Sequence, residues 1–203
     1  GLKVFMGEDG KVSGWCFACK TFVEHPYPEG FDIKDLPEKK VRTPEEIQEE
    51  IADITAYPTV EVGARRLKAH VLEKFGAKTS ISEYDGKSPT AIYWPLTNGG
   101  KLVGYHVKGL IKNPKGKSFV YNVGEAKGCD LIGWEEAKVS GAYRLIITEG
   151  PEDAASVYRI YELHGDPEYQ PAVVSLPAGA GSAKKVLQKH SAALIMMKRV
   201  KLP

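Results

Sequence analysis

Tyr143-Arg144-Leu145-Ile146-Ile147-Thr148-Glu149-Gly150-Pro151-Glu152-Asp153 is the stretch whose reading decides the fold. An apolar run of strand length ends in a carboxylate, the chain turns on a glycine, and a proline opens a helix with acids in its first turn. That helix is expected over 151–163, followed by a strand at 172–176, a helix at 182–190 and a strand at 193–197. Strand and helix alternating with short links predict right-handed crossovers and a parallel sheet, hence an α/β fold. Ligands of such sheets gather beyond the carboxyl ends of the strands, where helix N-termini add positive potential. Glu149 and Gly150 stand at that point.

Upstream the period changes. From Thr79 to Tyr121 apolar residues alternate with polar ones, predicting strands at 80–84, 91–96, 102–108 and 118–121, with Asn98-Gly99-Gly100 as a hairpin turn. Thr43-Pro44-Glu45-Glu46 combines an N-cap, a proline at the first helical position and a glutamate three residues after the cap. With Ile47, Ile51 and Ile54 at helical spacing, it predicts a helix over 44–55. A second helical pattern, Leu67, Val71, Leu72 and Phe75, runs into Gly76, a natural stop. Residues 24–40, with three prolines and many acids, read as a linker, and 1–22 as a short β-rich unit turning around 7–10. The expected division is 1–23, 24–62 (acidic linker with a helix), 63–138 (a small antiparallel, basic subdomain) and 139–203 (the parallel sheet).

Composition bounds the function classes. The chain has 203 residues, 42% of them apolar, and a net charge of +2, which excludes wholesale disorder. Its longest apolar run, 192–197, is far too short for a membrane span. The opening residues lack the pattern of a secretory signal, and three cysteines make no disulfide framework, so a reducing cytoplasm is expected.

Charge is uneven along the chain. Nine acids and four bases fall between Glu24 and Glu50, whereas no acid lies between Asp85 and Glu125, where Lys87, Lys101, Lys108, Lys112, Lys115 and Lys117 occur. A second acid-free stretch after Glu168 holds Lys184, Lys185, Lys189, Lys198, Arg199 and Lys201. Tyr93, Trp94, Tyr105, Phe119 and Tyr121 are interspersed in the first block, so the blocks read either as a phosphate-attracting field or as a solvated, lysine-coated face.

Three segments have residues suited to chemistry. Glu149, Glu152 and Asp153 are carboxylates of the kind that hold a hard divalent cation beside a triphosphate, although Glu152 and Asp153 equally serve as caps of the helix dipole. The small-residue loop Pro177-Ala178-Gly179-Ala180-Gly181-Ser182, leading to Lys184 and Lys185, suits close approach by phosphate oxygens, but its spacing is not that of a Walker A loop. Cys16-Phe17-Ala18-Cys19 is half of a tetrahedral zinc ligand set, or else a surface thiol pair or redox motif.

In order, Gly14-Trp15-Cys16-Phe17-Ala18-Cys19-Lys20, Leu72-Glu73-Lys74-Phe75-Gly76, the hairpin 100–108, Ile146-Ile147-Thr148-Glu149-Gly150-x-x-Asp153-Ala154 and Val173-Val174-Ser175-Leu176-Pro177 resemble the primase half of the bacteriophage primase-helicases with a toprim domain. The resemblance covers most of the chain and is least along 24–62. It implies a toprim-like parallel sheet with helices, preceded by a small antiparallel β-rich subdomain and a partial zinc ribbon. The activity implied is synthesis of RNA primers from ribonucleoside triphosphates on a single-stranded DNA template, with a replicative helicase domain and a DNA polymerase as partners in the infected cell's cytoplasm.

By the same resemblance, Glu149 is a catalytic group or Mg²⁺ (or Mn²⁺) ligand, Asp153 a second ligand, and Cys16 and Cys19 the second Zn²⁺ ligand pair of a ribbon. Lys108, Lys115 and Lys117 contact phosphates or template, with Gly150, Lys184 and Lys185 as further phosphate-binding candidates. The family's Asp-x-Asp after the last strand is replaced here by Lys198-Arg199-Val200, which predicts weakened Mg²⁺ binding and a chain truncated or frame-shifted at that end. The alternatives are a non-catalytic single-stranded nucleic-acid-binding remnant and, third, a toprim nuclease or topoisomerase.

Overall fold

A computed structural model describes residues 2–6, 12–27, 42–112 and 116–197. The expected turn at 7–10, most of the acidic linker, Lys115 and the basic end 198–203 lie outside the described residues. Contacts divide the chain into two units, meeting between Val41 and Arg42.

The first unit is a three-stranded antiparallel sheet of β1 (Leu2–Met6), β2 (Val12–Cys16) and β3 (Thr21–Val23), in that order. Residues 17–20 form a tight turn between β2 and β3, with Lys20 left-handed at φ 55°. This turn carries the Cys-x-x-Cys pair.

The second unit is a mixed α/β arrangement. Helix α1 (Pro44–Thr55) begins with the expected capping box: the Thr43 hydroxyl accepts from Glu46 N–H at 3.2 Å, and Thr43 N–H donates to the Glu46 carboxylate at 2.9 Å. Helix α2 (Ala69–Lys74) stops at Gly76, which adopts φ +65°. A four-stranded antiparallel sheet follows, ordered β4 (Lys78–Ile81), β5 (Pro89–Asn98), β6 (Lys101–Lys112) and β7 (Ser118–Gly124). Gly99 and Gly100 are both left-handed, at φ 58° and 78°, as the two-residue turn between β5 and β6 demands.

The strand expected at 80–84 ends at Ile81 instead. Asp85 Oδ1 accepts from the N–H groups of Lys87 (3.0 Å) and Ser88 (2.9 Å), so a local turn takes the backbone donors a longer strand would need, and Tyr84 stands fully in solvent.

Alternation on β5, β6 and β7 sends side chains to two faces. One face presents Ala91, Tyr93, Tyr105, Val107 and Val123 to Ile51 and Ile54 of α1. Helix α1, expected within the linker, thus packs on this sheet. The opposite face carries Ile92, Trp94 and Leu96, which pack against Val71, Leu72 and Phe75 and against Ala154 and Ala155. Phe75 meets the Trp94 ring edge-on, with centroids 6.2 Å apart.

Downstream come α3 (Trp134–Val139), β8 (Leu145–Thr148), α4 (Pro151–His164), β9 (Ala172–Ser175), α5 (Ala183–Lys189) and α6 (Ser191–Met197). β8 and β9 pair in parallel from Leu145↔Ala172 to Thr148↔Ser175, joined through α4 as the sequence predicts. The expected third strand at 193–197 is a helix, α6, and this corrects the sequence reading. A short apolar run fits a buried strand or a buried helix equally, and Ala192, Ala193, Leu194, Met196 and Met197 are strong helix formers. The parallel sheet therefore has two strands, with Ile132 bridging Ser175 on the outer side of β9. Leu131, Trp134, Ala137, Ala172, Val174, Leu176 and Val186 form a third cluster on this side.

One buried carboxylate ties the hairpin tip to the last helices. Asp130 Oδ2 accepts from Gly100 N–H at 3.1 Å and the Thr97 hydroxyl at 3.2 Å, while Lys189 Nζ lies 2.7 Å and His190 Nε2 3.3 Å from Oδ1. The Lys189 contact to Oδ1 is an ion pair, whereas His190 is charged only when protonated; Lys189 directs its own hydrogen bonds to Asn98 Oδ1 at 2.8 Å and Gly128 O at 2.7 Å. Burial alone would raise the Asp130 pKa, but Lys189 and the Gly100 N–H outweigh it and hold the carboxyl below its usual range. Burial pushes the His190 pKa down, against the opposing pull of Asp130.

Folding lowers both pKa values, so the unfolded chain binds protons more readily at each group. Stability should fall as pH drops below 6.5, the ordinary histidine value, and again below 3.8 as Asp130 is titrated. Asp130→Asn should cost about 2–4 kcal/mol at neutral pH, because Lys189 loses its counter-charge, and should flatten the more acidic limb. Urea unfolding across pH 3–8 measures both effects.

Candidate functional site

Glu149 follows the last residue of β8, at the carboxyl edge of the parallel pair. The ladder holds this edge: Leu176 N–H donates to Thr148 O at 3.0 Å, and the Thr148 hydroxyl donates to Gly150 O at 2.9 Å. Glu149 is exposed and reaches across to the loop after β9, where its Oε1 accepts from Ala180 N–H at 3.4 Å. Gly179 takes φ +66° in that loop, a conformation that favours glycine.

Gly150 is the N-cap of α4 and supplies no side chain to its first N–H groups. Pro151 has no N–H and Ala154 N–H donates to Gly150 O at 3.1 Å, so the N–H groups of Glu152 and Asp153 are the ones left without a capping side chain. The Asp153 carboxylate folds back over this helix end, with Oδ2 3.2 Å from where a Cβ on Gly150 would lie.

Facing this helix end is the antiparallel sheet. A cleft of about 160 Å³ is lined by Trp94, His106, Lys108 and Val120 from the sheet and by Gly150, Pro151, Glu152 and Asp153 from α4. Register explains the sheet wall: Trp94 pairs with His106, and Lys108 pairs with both Ile92 and Val120, so their side chains share the face turned to α4. Lys108 is partly buried, with no ion pair among the described residues, and His106 Nδ1 lies 2.9 Å from Asn122 Oδ1.

The structure therefore brings Lys108, Gly150 and Asp153 into one cleft. Glu149 stands at the same sheet edge but lines the β9 loop side. Lys184 and Lys185 are exposed on α5, and Lys117 is exposed at the approach to β7; none of the three lines the cleft. Two roomier hollows, about 440 and 640 Å³, lie at the Lys74–Tyr158 side of α4 and beside β4, away from this edge.

Sequence reasoning missed His106, named Trp94 only among the aromatic residues of the first basic block, and gave Glu152 as a cation-holding carboxylate or helix cap without placing it in a cleft. Glu152 is not a plain helix cap: its Oε2 is 3.8 Å from Arg65, and its Oε1 is buried without a partner among the described residues. The signal available was the β6 alternation, which puts His106 on the same face as Lys108.

Among the described residues no three His, Cys, Asp or Glu side chains cluster as a metal cage. Mg²⁺ commonly takes only one or two protein carboxylates and completes its shell with water and substrate phosphates, a mode open to Glu149 on the β9-loop side or to Asp153 in the cleft. The Cys16 thiol accepts hydrogen bonds from Cys19 and from the Ala18 backbone, which lower its pKa to about 7. A thiolate held by backbone N–H groups in a Cys-x-x-Cys turn fits two of the four ligands of a zinc site.

Cys129, by contrast, is pushed up to about 11 by burial and by Glu125. Iodoacetamide should alkylate Cys16 with a rate that rises to half its maximum near pH 7, while Cys129 stays unmodified in the folded protein. Peptide mass spectrometry over pH 6–9 checks this. In comparisons with known proteins, no protein-family model matches the chain and no curated protein matches it.

Proposed function

We propose that this chain is the RNA-polymerase part of a DNA primase of the bacteriophage primase-helicase type, with a toprim-like parallel layer, joining ribonucleotides on single-stranded DNA. The observation that carries the reading is the cleft in which Lys108 faces the uncapped N-terminus of α4 at Gly150 and Asp153. A cation opposite free backbone N–H groups is an arrangement suited to a phosphate chain.

In this reading Lys108 and the first N–H groups of α4 bind and orient the triphosphate. The 3′-hydroxyl of the growing primer attacks the α-phosphorus, a new P–O bond forms, and pyrophosphate leaves with the bridging oxygen. Glu149, at the strand end and open to solvent, accepts the hydroxyl proton. Glu149 or Asp153 would hold Mg²⁺ or Mn²⁺, which supplies charge neutralisation at the phosphates. Lys117, Lys184 and Lys185 provide the exposed positive charge for template DNA. A helicase domain and a DNA polymerase are the partners of the full system, in the cytoplasm of an infected cell; no described helix is long and apolar enough to cross a membrane.

A second reading, a non-catalytic single-stranded DNA-binding remnant, is favoured by one observation. The segment where a third parallel strand would end beside metal-binding aspartates is helix α6, followed in sequence by Lys198 and Arg199.

Labelled-ribonucleotide incorporation on single-stranded DNA with Mg²⁺ separates the two. The primase reading expects incorporation that falls at least about 100-fold in Glu149→Ala and a KM raised about tenfold in Lys108→Ala. Incorporation unchanged in Glu149→Ala contradicts it. Salt-sensitive DNA binding without incorporation favours the remnant.

A further inference from the structure

His190 sits where two helices join. It closes α5, its N–H donating to Val186 O at 3.2 Å, and its own carbonyl accepts from Leu194 N–H of α6 at 2.9 Å. The residue is only 8% exposed. On one side its ring lies against Trp134, with centroids 4.5 Å apart. On the other, Nε2 stands 3.3 Å from Asp130 Oδ1, yet neither atom has a hydrogen-bond partner among the described residues.

Charge in this seat is balanced without His190. Asp130 is negative, and Lys189 Nζ, 2.7 Å from Oδ1, neutralises it. The other charged groups acting on the ring, Glu135 and Lys138 of α3, pair with each other at 2.8 Å. A neutral imidazole therefore fits, whereas a proton on Nε2 makes a buried cation with no counter-charge of its own and no hydrogen-bonded acceptor. Burial accordingly pushes the His190 pKa down in the folded protein; Lys189 and Lys138 act in the same direction, and Asp130 and Glu135 against them. In an opened segment the ring returns to the ordinary histidine value of 6.5. The closed seat thus keeps its full stability above pH 6.5 and loses it progressively as pH falls toward the folded value.

The chain decides what opens with the ring. α5 begins directly after the loop in which Ala180 N–H donates to Glu149 Oε1 at 3.4 Å, and its last residue, Lys189, holds Asn98 Oδ1 and Gly128 O. Val186, Ala193 and Leu194 pack on the cluster that contains Trp134. We infer that His190 is a proton-released latch: protonation at Nε2 drives the ring from its seat between Asp130 and Trp134, and α5 and α6 loosen from α3 and from the tip of the β5–β6 hairpin. The loop facing Glu149 loosens with them, so mildly acidic pH uncouples the strand-end carboxylate from the hairpin.

Hydrogen–deuterium exchange of the whole chain at pH 7.5 and pH 5.5, with each rate divided by the intrinsic exchange rate at that pH, tests the latch without any ligand. Protection of the amides of 183–194 should fall about five- to tenfold between the two pH values. At pH 5.5 it should lie at least about tenfold below that of β5, because the segment opens on its own. His190→Gln keeps a neutral polar side chain and cannot titrate, so protection of 183–194 should become independent of pH over this range. Should that variant not fold, NMR titration of the His190 ring in the wild-type protein decides: a midpoint below 6.5, coinciding with the loss of protection in 183–194, supports the latch. A midpoint of 6.5 or above, or protection of 183–194 unchanged by pH, overturns it. So does protection equal to that of β5 at pH 5.5, which means that the segment opens only with the whole unit. An equal fall in His190→Gln overturns it too, because the sensitivity then belongs to another group.

Discussion

A single buried carboxylate organises the second unit. Asp130 is nearly inaccessible, yet it receives the tip of the β5–β6 hairpin through Gly100 and Thr97 and the end of α5 through Lys189 and His190. A charge in that position is tolerable only because Lys189 and the donors of the hairpin compensate it. The antiparallel sheet is thereby fixed to the helices that cover the parallel pair. Trp134 against the His190 ring, with centroids 4.5 Å apart, fills the apolar side of the same junction.

The cleft depends on that fixed relation. Its sheet wall is set by the register of β5, β6 and β7, and its other wall by where α4 begins, one residue after Gly150. Ala154 and Ala155, both wholly buried, let α4 approach the Trp94 face closely. Larger side chains there would push the helix end away from Lys108. Gly104 and Gly124 do the same within the sheet: a Cβ on either would come within 2.2–2.3 Å of a carbonyl oxygen of the partner strand. The geometry of the cleft thus comes from small residues at the contacts of α4 with the sheet and of β6 with β7.

Locally encoded features were legible in the sequence. The capping box at Thr43, the glycine pair of the hairpin and the strand-glycine-helix passage through Glu149 each carry their signal within a few residues, and the structure reproduces them. Period alone did not decide 193–197, where an apolar run meets good helix formers and the helix wins. Nor did it mark α3, whose six residues pack through Trp134 and Ala137 against a strand that comes much later in the chain. Asp130 left no sign, since its partners sit about thirty residues before and sixty after it. Of the candidate site, Lys108, Gly150, Glu152 and Asp153 were each named from the sequence, but that they line one cleft with Trp94 and His106 is set by the β5–β6 register and the start of α4, which no local motif carries.

The central claim is that the open end of α4, with Lys108 opposite, receives the phosphates of a nucleotide. A crystal structure of the chain soaked with ATP and Mn²⁺ tests it directly. The account predicts triphosphate density against the N–H groups that follow Gly150 and beside Lys108 Nζ, with the Mn²⁺ anomalous peak next to Glu149 or Asp153. Triphosphate density in the hollow beside β4 or at the Tyr158 side of α4, with the Lys108 cleft empty, would contradict it.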